Sequence, residues 1–390
     1  MRVLISGAGI AGPTLAYWLD SFGFDTTLVE MAPRLRTGGY IIDFWGTGFE
    51  VATRMNLINE IQRKGYGVEK VKVVDKTGKQ VAGFPAAAFA RATHGRYVSL
   101  PRGDLAALIF ARIESRAEIL FGDSISAIVQ GNNGVRVSFA SGIQREFDLV
   151  LGADGLHSKV RGLVFGPESE FEQFLGYKAA AFEAAGYRPR DELTYVMYTE
   201  VGQQVARFAM REDRTMFLFT FADSNPDIGN VSAQKELLRQ RFGGSGWWEC
   251  PSILDALDRT DDLYFDRVSQ IRMDSWSRGR VALVGDAAYC VSLVAGQGTA
   301  LGMAGAYILA GELHRAGGDY RAAFARYQEM FQPLIQAKQG AALRFAGAFA
   351  PKSKFRLWLR NRILNLLSVG WIADITVGRD LADRISLPDY

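Results

Sequence analysis

The stretch that most constrains this chain is its first dozen residues. Arg2-Val-Leu-Ile-Ser6 is an apolar run of strand length, and it breaks at Gly7-Ala-Gly9-Ile-Ala11-Gly12. Pro13-Thr-Leu-Ala-Tyr-Trp-Leu19 follows with helical character. Each glycine answers a different need: Gly7 permits the tight turn, Gly9 lets the backbone approach a pyrophosphate, and Gly12 lets helix and strand pack closely. The helix N-terminus then offers unpaired N–H groups and the positive end of a dipole to phosphate. A second strand, Asp25-Thr-Thr-Leu-Val-Glu30, ends in an acid that can accept hydrogen bonds from a ribose diol. Glycine clusters alone are common in loops. Strand, glycines, helix, strand and terminal acid in this order predict a bound dinucleotide, without saying which one.

At 390 residues the chain has room for two or three domains. Its 45 Lys and Arg nearly balance 42 Asp and Glu, and no basic run dominates, so nucleic acid is not the expected partner. Cys250 and Cys290 are too few for a disulfide framework, and His94, His157 and His314 are scattered, so no metal site is expected. The first strand begins at residue 2, which leaves no room for a signal peptide, and no apolar run reaches the roughly 18–20 residues of a membrane span. The expectation is a cytoplasmic protein, monomeric or weakly dimeric, acting on a small molecule.

Residues 34–50, with Arg34, Arg36, Gly38-Gly39, Asp43, Gly46 and Gly48, read as a glycine-rich loop near the ligand, and 49–64 as a helix. Strands at 68–74 and 81–84 flank a Thr77-Gly78 hairpin turn. Leu100-Pro-Arg102-Gly-Asp104 opens a helix for which Asp104 is the expected N-cap. Residues 119–129, 134–140 and 143–151 read as strands. From 177 to 222 four strands (177–184, 193–200, 203–211, 214–222) joined by short turns predict an antiparallel sheet, with clear alternation in Phe217-Leu-Phe219-Thr-Phe221. Helices at 231–242 and 251–259 and a strand at 263–273 follow. The first domain resumes at Arg280–Val284, and the rest of the chain is mainly helical.

Two later stretches repeat the strand-then-glycine theme. Asp148-Leu-Val-Leu-Gly-Ala-Asp154-Gly155 ends a buried strand, with Ser158 placed to cap the helix that follows. Gly279-Arg-Val-Ala-Leu-Val-Gly285-Asp286 ends another, and Gly296-Gln-Gly298 then opens a long helix. A strand-end Asp can bond a polyol, and amides at a helix N-terminus can face a ring carbonyl that gains negative charge.

With these stretches, the chain resembles the group A flavoprotein monooxygenases of the para-hydroxybenzoate hydroxylase fold, and among them the tetracycline destructases. Gly285-Asp-Ala-Ala-Tyr289-Cys290, Gly296-Gln-Gly298, Gly305-Ala-Tyr307-Ile-Leu-Ala-Gly-Glu-Leu313 and Gly12-Pro13 carry the resemblance. It implies an α/β fold: a Rossmann-like FAD-binding domain (1–75, 98–174, 274–325), an inserted antiparallel-sheet substrate domain (76–97, 175–273) and C-terminal helices (326–390) that could gate the site. It further implies that Gly7, Gly9, Ala11 and Gly12 hold the FAD pyrophosphate and Glu30 the adenosine ribose. Arg102, Asp154 and Asp286 would contact the cofactor, and Gly296 and Gly298 would face the pyrimidine end of the flavin. NADPH or NADH would reduce the flavin, oxygen would add at its C4a carbon, and one oxygen atom would pass to an electron-rich carbon of a bulky phenolic or polyketide-like substrate. No protein side chain is identified as catalytic. Phe217, Phe219, Leu293 and Asp43 are the candidate pocket residues.

Two features depart from the family pattern. Relatives commonly carry proline in the loop after Gly-Asp, where this chain has Val291-Ser-Leu293-Val-Ala, and Thr299-Ala300 stand where asparagine is frequent. The missing proline keeps open an FAD oxidoreductase that inserts no oxygen, and a non-catalytic flavin- or drug-binding protein is a second alternative. Cys290 reads as a small buried thiol rather than a redox centre, Tyr289 equally as packing or function, and His157 as a surface residue rather than a base. The stretch Lys352–Trp371 mixes Lys and Arg with Leu, Ile and Trp. It can lie on a membrane, but packing across the pocket mouth is the favoured reading.

Overall fold

The computed structural model describes residues 1–35, 38–87, 91, 93, 95–244, 247–366 and 385–390. The chain opens with β1 (Arg2–Ser6), α1 (Ala11–Ser21) and β2 (Asp25–Glu30), then β3 (Ile41–Trp45), α2 (Thr47–Arg54) and α3 (Ile58–Lys64). The hairpin β4 (Lys70–Val74) and β5 (Gln80–Pro85) precedes β6 (Tyr97–Pro101), α4 (Arg102–Phe110) and β7 (Glu118–Phe121). A meander of β8 (Ile125–Gln130), β9 (Val135–Phe139) and β10 (Gln144–Phe147) leads to β11 (Leu149–Gly152) and α5 (Lys159–Val164). Then come β12 (Glu172–Ala185), β13 (Thr194–Glu200), β14 (Gln203–Ala209), β15 (Arg214–Ala222), α6 (Val231–Phe242), α7 (Cys250–Asp258) and β16 (Tyr264–Ile271). The short strands β17 (Ser277–Arg278) and β18 (Val281–Leu283) return to the first sheet. They are followed by α8 (Asp286–Tyr289), α9 (Gly298–Arg315), α10 (Tyr320–Phe349) and α11 (Lys354–Leu366).

The first sheet has the order β17-β18-β11-β1-β2-β7, parallel except for the β17 edge. Its middle strand is β1, whose Val3, Leu4 and Ile5 are fully buried, as a strand covered on both faces must be. Burying each such side chain contributes roughly 1.5–3 kcal/mol. The helix α9 runs beneath, buried from Ala300 to Leu313, and its glycines let α1 come close: the Ala11 Cβ lies 3.6 Å from where a Cβ of Gly302 would stand. The segment 385–390 is strapped to the same helix. Leu387 is buried, Tyr307 Oη donates to the Pro388 carbonyl (2.7 Å) and Tyr390 Oη to Glu312 Oε1 (2.8 Å). Arg54 of α2 donates to the carbonyls of Leu387 and Pro388.

The second sheet has the order β16-β12-β15-β14-β13-β4-β5. Its outer face, with Phe182, Val205, Phe217, Phe219 and Phe221, is covered by Leu238 and Phe242 of α6 and by Ile253 and Leu257 of α7. Its inner face, with Ala181, Phe208, Met216 and Leu218, packs toward Tyr40, Ile41 and Tyr66. Among the described residues no helix is long and apolar enough to cross a membrane.

Several local expectations need correction. The helix foreseen over 49–64 is two helices, because Asn56 takes a left-handed conformation (φ 56°) that asparagine tolerates. The loop foreseen over 34–50 contains β3 and the start of α2. The runs 119–129 and 143–151 each split between two sheets at corners held by carboxylates. Asp123 accepts from the Ser124 and Ser141 amides, and Asp148 from the Arg2 amide. Pro101, not Asp104, stands at the N-cap of α4; Asp104 lies in the first turn, paired with Lys64 at 3.6 Å. Both strands of the β4–β5 hairpin lie in the second sheet, so the chain crosses into that sheet before Lys70 rather than between 75 and 76.

Candidate functional site

The glycine loop leaves β1 with Gly7 at φ +104°, its amide donating to the Val29 carbonyl at 2.7 Å. A Cβ on Gly7 would stand 2.6 Å from the Ala153 carbonyl oxygen and 2.9 Å from the Asp154 Cα. One on Gly12 would collide with the Gly7 carbonyl oxygen, and one on Gly9 would meet only Arg102 Nη2, at 3.4 Å. Gly7 and Gly12 are therefore glycines because backbone crowds them, whereas Gly9 is approached only by the far end of the Arg102 side chain. No side chain caps α1, so its first amides remain available to a ligand.

Glu30 at the end of β2 accepts from the Ala8 amide at 2.8 Å and from the Ala32 amide at 2.9 Å. It thus ties the glycine loop to β2 and sets a carboxylate at the strand end, the position from which a ribose hydroxyl is bound in this motif. Glu30→Ala should raise the FAD dissociation constant by about tenfold or more, as loss of a charge-assisted bond does. A titration showing an unchanged constant would remove Glu30 from the site.

The other two stretches meet this loop. Asp154 accepts from Ser158 Oγ (2.5 Å) and from the Val160 amide (3.0 Å), while Ser158 caps α5 by accepting from the Arg161 amide. Its carboxylate is engaged in shaping the turn beside Gly7, and burial pushes its pKa up. Gly285, at φ +69°, brings its chain against α1: a Cβ there would lie 3.1 Å from Ala11 Cβ. The next residue, Asp286, sits with Oδ1 3.4 Å from where a Cβ of Gly298 would project. Burial raises the Asp286 pKa, opposed by the Arg102 guanidinium and the Cys290 thiol. Arg102 therefore reaches from Gly9 toward Asp286. Gly296, at φ +64°, faces the Trp45 ring, which lies 3.5 Å from where a Cβ of Gly296 would project.

Residues 7–12, 30, 102, 154, 285–286 and 296–298 thus line one cleft. It offers a side-chain-free surface, uncapped helix amides, the Arg102 guanidinium, and carboxylates for hydroxyl groups. These donors and acceptors fit a dinucleotide pyrophosphate and its polyols. At the Gly296 end, Trp45 Nε1 and Ser292 Oγ are buried with no hydrogen-bond partner among the described residues, and Ser292 holds φ +89°. Unsatisfied donors and a strained backbone at one loop mark a place where a bound group completes the bonding.

Beyond that loop, Asp43 is drawn into a cluster of hydroxyls. Tyr97 Oη donates to its Oδ1 at 2.7 Å and Ser99 Oγ at 2.5 Å, and the Tyr195 hydroxyl on β13 lies nearby. Burial raises the Asp43 pKa and these hydroxyls lower it; Tyr97 and Tyr195 are themselves raised by burial and by the nearby carboxylate. Tyr40 and Tyr264, with ring centroids 5.3 Å apart, stand near Arg102, and burial pushes Tyr40 up to about 12. No local motif announces Trp45, Tyr97, Ser99 or Tyr195. The alternation of β3 and β6, which places Asp43 and Trp45 on one face, was the one available signal.

The remaining candidates fall elsewhere. Phe217 and Phe219 are not pocket residues: they pack under α6 and α7 on the outer face, and their neighbours Met216 and Leu218 face inward. Leu293 lies in the loop before Gly296 and packs near Tyr177, Ala179 and Ala342 of α10. Pro351, just past α10, accepts from the Gly202 amide at 2.9 Å, so the C-terminal helices brace the second sheet. Cys290 is a buried thiol with its pKa well above the ordinary value, raised by burial and by Asp286, and so a poor nucleophile. Tyr289 packs against Trp276 and accepts from Tyr327 Oη. Arg34 is exposed, and Arg36 and His94 lie outside the described residues. On the outer face an open pocket of about 350 Å³ is lined by Arg207 and Trp248, and Arg207 there is already paired with Asp191 and Glu249.

His157 bridges Asp266 (3.2 Å) and Glu168 (2.9 Å) between the two sheets. The hydrogen bond to Asp266 lifts its pKa from 6.5 to about 9 against the opposing effect of burial. A raised pKa stabilises the fold fully below about 6.5 and progressively less as pH climbs through about 9. Because the ring is nearly half exposed, the effect should stay under about 1 kcal/mol. Urea midpoints should fall across that pH window in the wild type and flatten in His157→Ala.

A family model described as the FAD binding domain matches residues 1–319. The chain is 40% identical to an uncharacterized protein of Mycobacterium tuberculosis over 341 residues, which is 86% of this chain and 91% of that one. It is 33% identical to a flavin-dependent monooxygenase from an unknown prokaryotic organism over 403 residues, covering 100% and 99%. Its fold is similar to the crystal structure of the tetracycline destructase Tet(51), with a TM-score of 0.84, 32% identity, and coverage of 100% and 99%.

Proposed function

The chain belongs to the FAD binding domain family as a flavin-dependent monooxygenase, and from that premise we propose that it hydroxylates a bulky phenolic or polyketide-like compound with NADPH or NADH and O2. The observation that carries this reading is the convergence of the glycine loop, Arg102, Asp286 and Gly296–Gly298 on one cleft, beside which Leu293 and Ala295 pack against Tyr177, Ala179 and Val268 of the second sheet.

Gly7, Gly9, Ala11 and Gly12 would hold the pyrophosphate with Arg102, Glu30 the adenosine ribose, Asp286 the polyol chain, and Gly296 and Gly298 the flavin ring. When bound, FAD supplies two-electron redox and the transfer of one oxygen atom from O2. The inner-face cluster of Phe208, Met216 and Leu218 would supply apolar surroundings that help keep water from the reacting edge. Asp43, bonded to the Tyr97 and Ser99 hydroxyls, is the acceptor that would orient a phenolic or enolic O–H of the substrate. An apolar wall with a single acidic cluster suits a large aromatic substrate better than a small charged one.

The test is NAD(P)H oxidation with mass detection under ¹⁸O2, across tetracyclines and other polyphenols. Ligand-stimulated oxidation with one labelled oxygen in the product is expected. An unlabelled product would show an oxidoreductase without oxygen insertion. FAD and ligand binding with no stimulated oxidation would show a binding protein.

A further inference from the structure

We propose that α11 is a docking helix that seats this protein on an anionic lipid bilayer. The helix is inside-out for one that packs only on its own protein. Leu357, Arg360, Asn361 and Leu364 are its half-buried positions, with Arg360 donating to Gln204 Oε1 at 3.2 Å. On the opposite side Phe355 (68% exposed), Trp358 (54%), Leu359 (42%), Ile363 (47%) and Leu366 (50%) face outward. At about 100° per residue these five fall within an arc of about 140°, an apolar stripe in which Arg362 is the one charged position. Packing alone would turn those side chains inward and leave arginine and asparagine outside.

The charges select the occupant. Residues 350–373 hold no Asp or Glu and five cations: Lys352, Lys354, Arg356, Arg360 and Arg362. Lys354 and Arg356 fall on either edge of the stripe, where long basic side chains can rise to headgroups while the apolar row enters the acyl boundary. Arg362 stacks on the Trp358 ring at 5.4 Å, and Phe355 stacks on the same ring at 6.1 Å, so the stripe is preformed. The helix is fixed to the protein by its other side. Asn365 accepts from the Gly83 amide (3.1 Å) and donates to the Val81 carbonyl (3.4 Å) along the edge strand β5. A second protein surface would need matching acids, whereas an anionic bilayer provides charge and apolar depth together.

The test uses the full-length flavoprotein in flotation with vesicles of about 70% phosphatidylcholine and 30% phosphatidylglycerol, against phosphatidylcholine alone, at low and high salt. The protein should float with the mixed vesicles, not with phosphatidylcholine, and be released by salt. Phe355→Ser with Ile363→Ser, and separately Arg356→Glu with Arg362→Glu, should each cut the bound fraction at least about fivefold. Because all four positions are exposed, FAD content and the thermal midpoint should not change. Wild-type protein that fails to float with mixed vesicles, or variants that float as well as wild type, would overturn the proposal. So would a wild-type dimer that the Phe355/Ile363 variant converts to monomer without any vesicle binding, which would assign the stripe to a second copy.

Discussion

Gly9→Val should leave the fold intact and strip the protein of FAD, whereas Gly12→Val should cost both. The difference follows from what a side chain meets. At Gly9 a Cβ meets only the far end of Arg102, at 3.4 Å, and then projects into the space a pyrophosphate must occupy. At Gly12 it collides with the Gly7 carbonyl oxygen, a backbone atom that cannot yield without moving α1 off β1. Forced overpacking of that kind costs on the order of 3 kcal/mol or more, a large part of a typical domain's stability. The 450 nm absorbance of purified protein and its thermal midpoint read the two effects separately. A yellow Gly9→Val protein would show that the loop does not face the cofactor.

Asp286→Ala should weaken FAD retention by about tenfold to a hundredfold, the equivalent of one charge-assisted bond. Its carboxylate lies against Gly298 at the start of α9 and within the field of Arg102. Asp286→Asn, which keeps the shape and removes the charge, should retain more cofactor than the alanine variant. An FAD-replete Asp286→Ala protein would count against the assignment.

The cofactor cleft was legible in the sequence because its geometry demands particular residues locally. No other residue tolerates the backbone and crowding at Gly7 and Gly12, and those demands leave a readable pattern. The substrate side left no such pattern. Trp45, Tyr97, Ser99 and Tyr195 come from three strands in two sheets, and any of them could have been ordinary packing. The alternation of Phe217, Phe219 and Phe221 showed that β15 has two faces but not which one the helices α6 and α7 would cover. Asp104 looked like a cap because caps are usually acids or hydroxyls; here the chain enters α4 through Pro101, and the Arg102 amide is satisfied by the Tyr40 carbonyl.

The order of strands in the first sheet also bears on synthesis. β1 is made first, yet its second neighbour begins at residue 149 and the next strand outward, β18, at 281. At typical elongation rates of about 5–20 residues per second, roughly fifteen seconds to a minute separate the glycine loop from Gly298. Until then the edge of β11 that will receive β18 stays open, an invitation to mispairing, and no nascent fragment has the complete cleft. The complete site therefore exists only once most of the chain has been made, and a messenger truncated before Gly298 should yield chains that added FAD does not rescue.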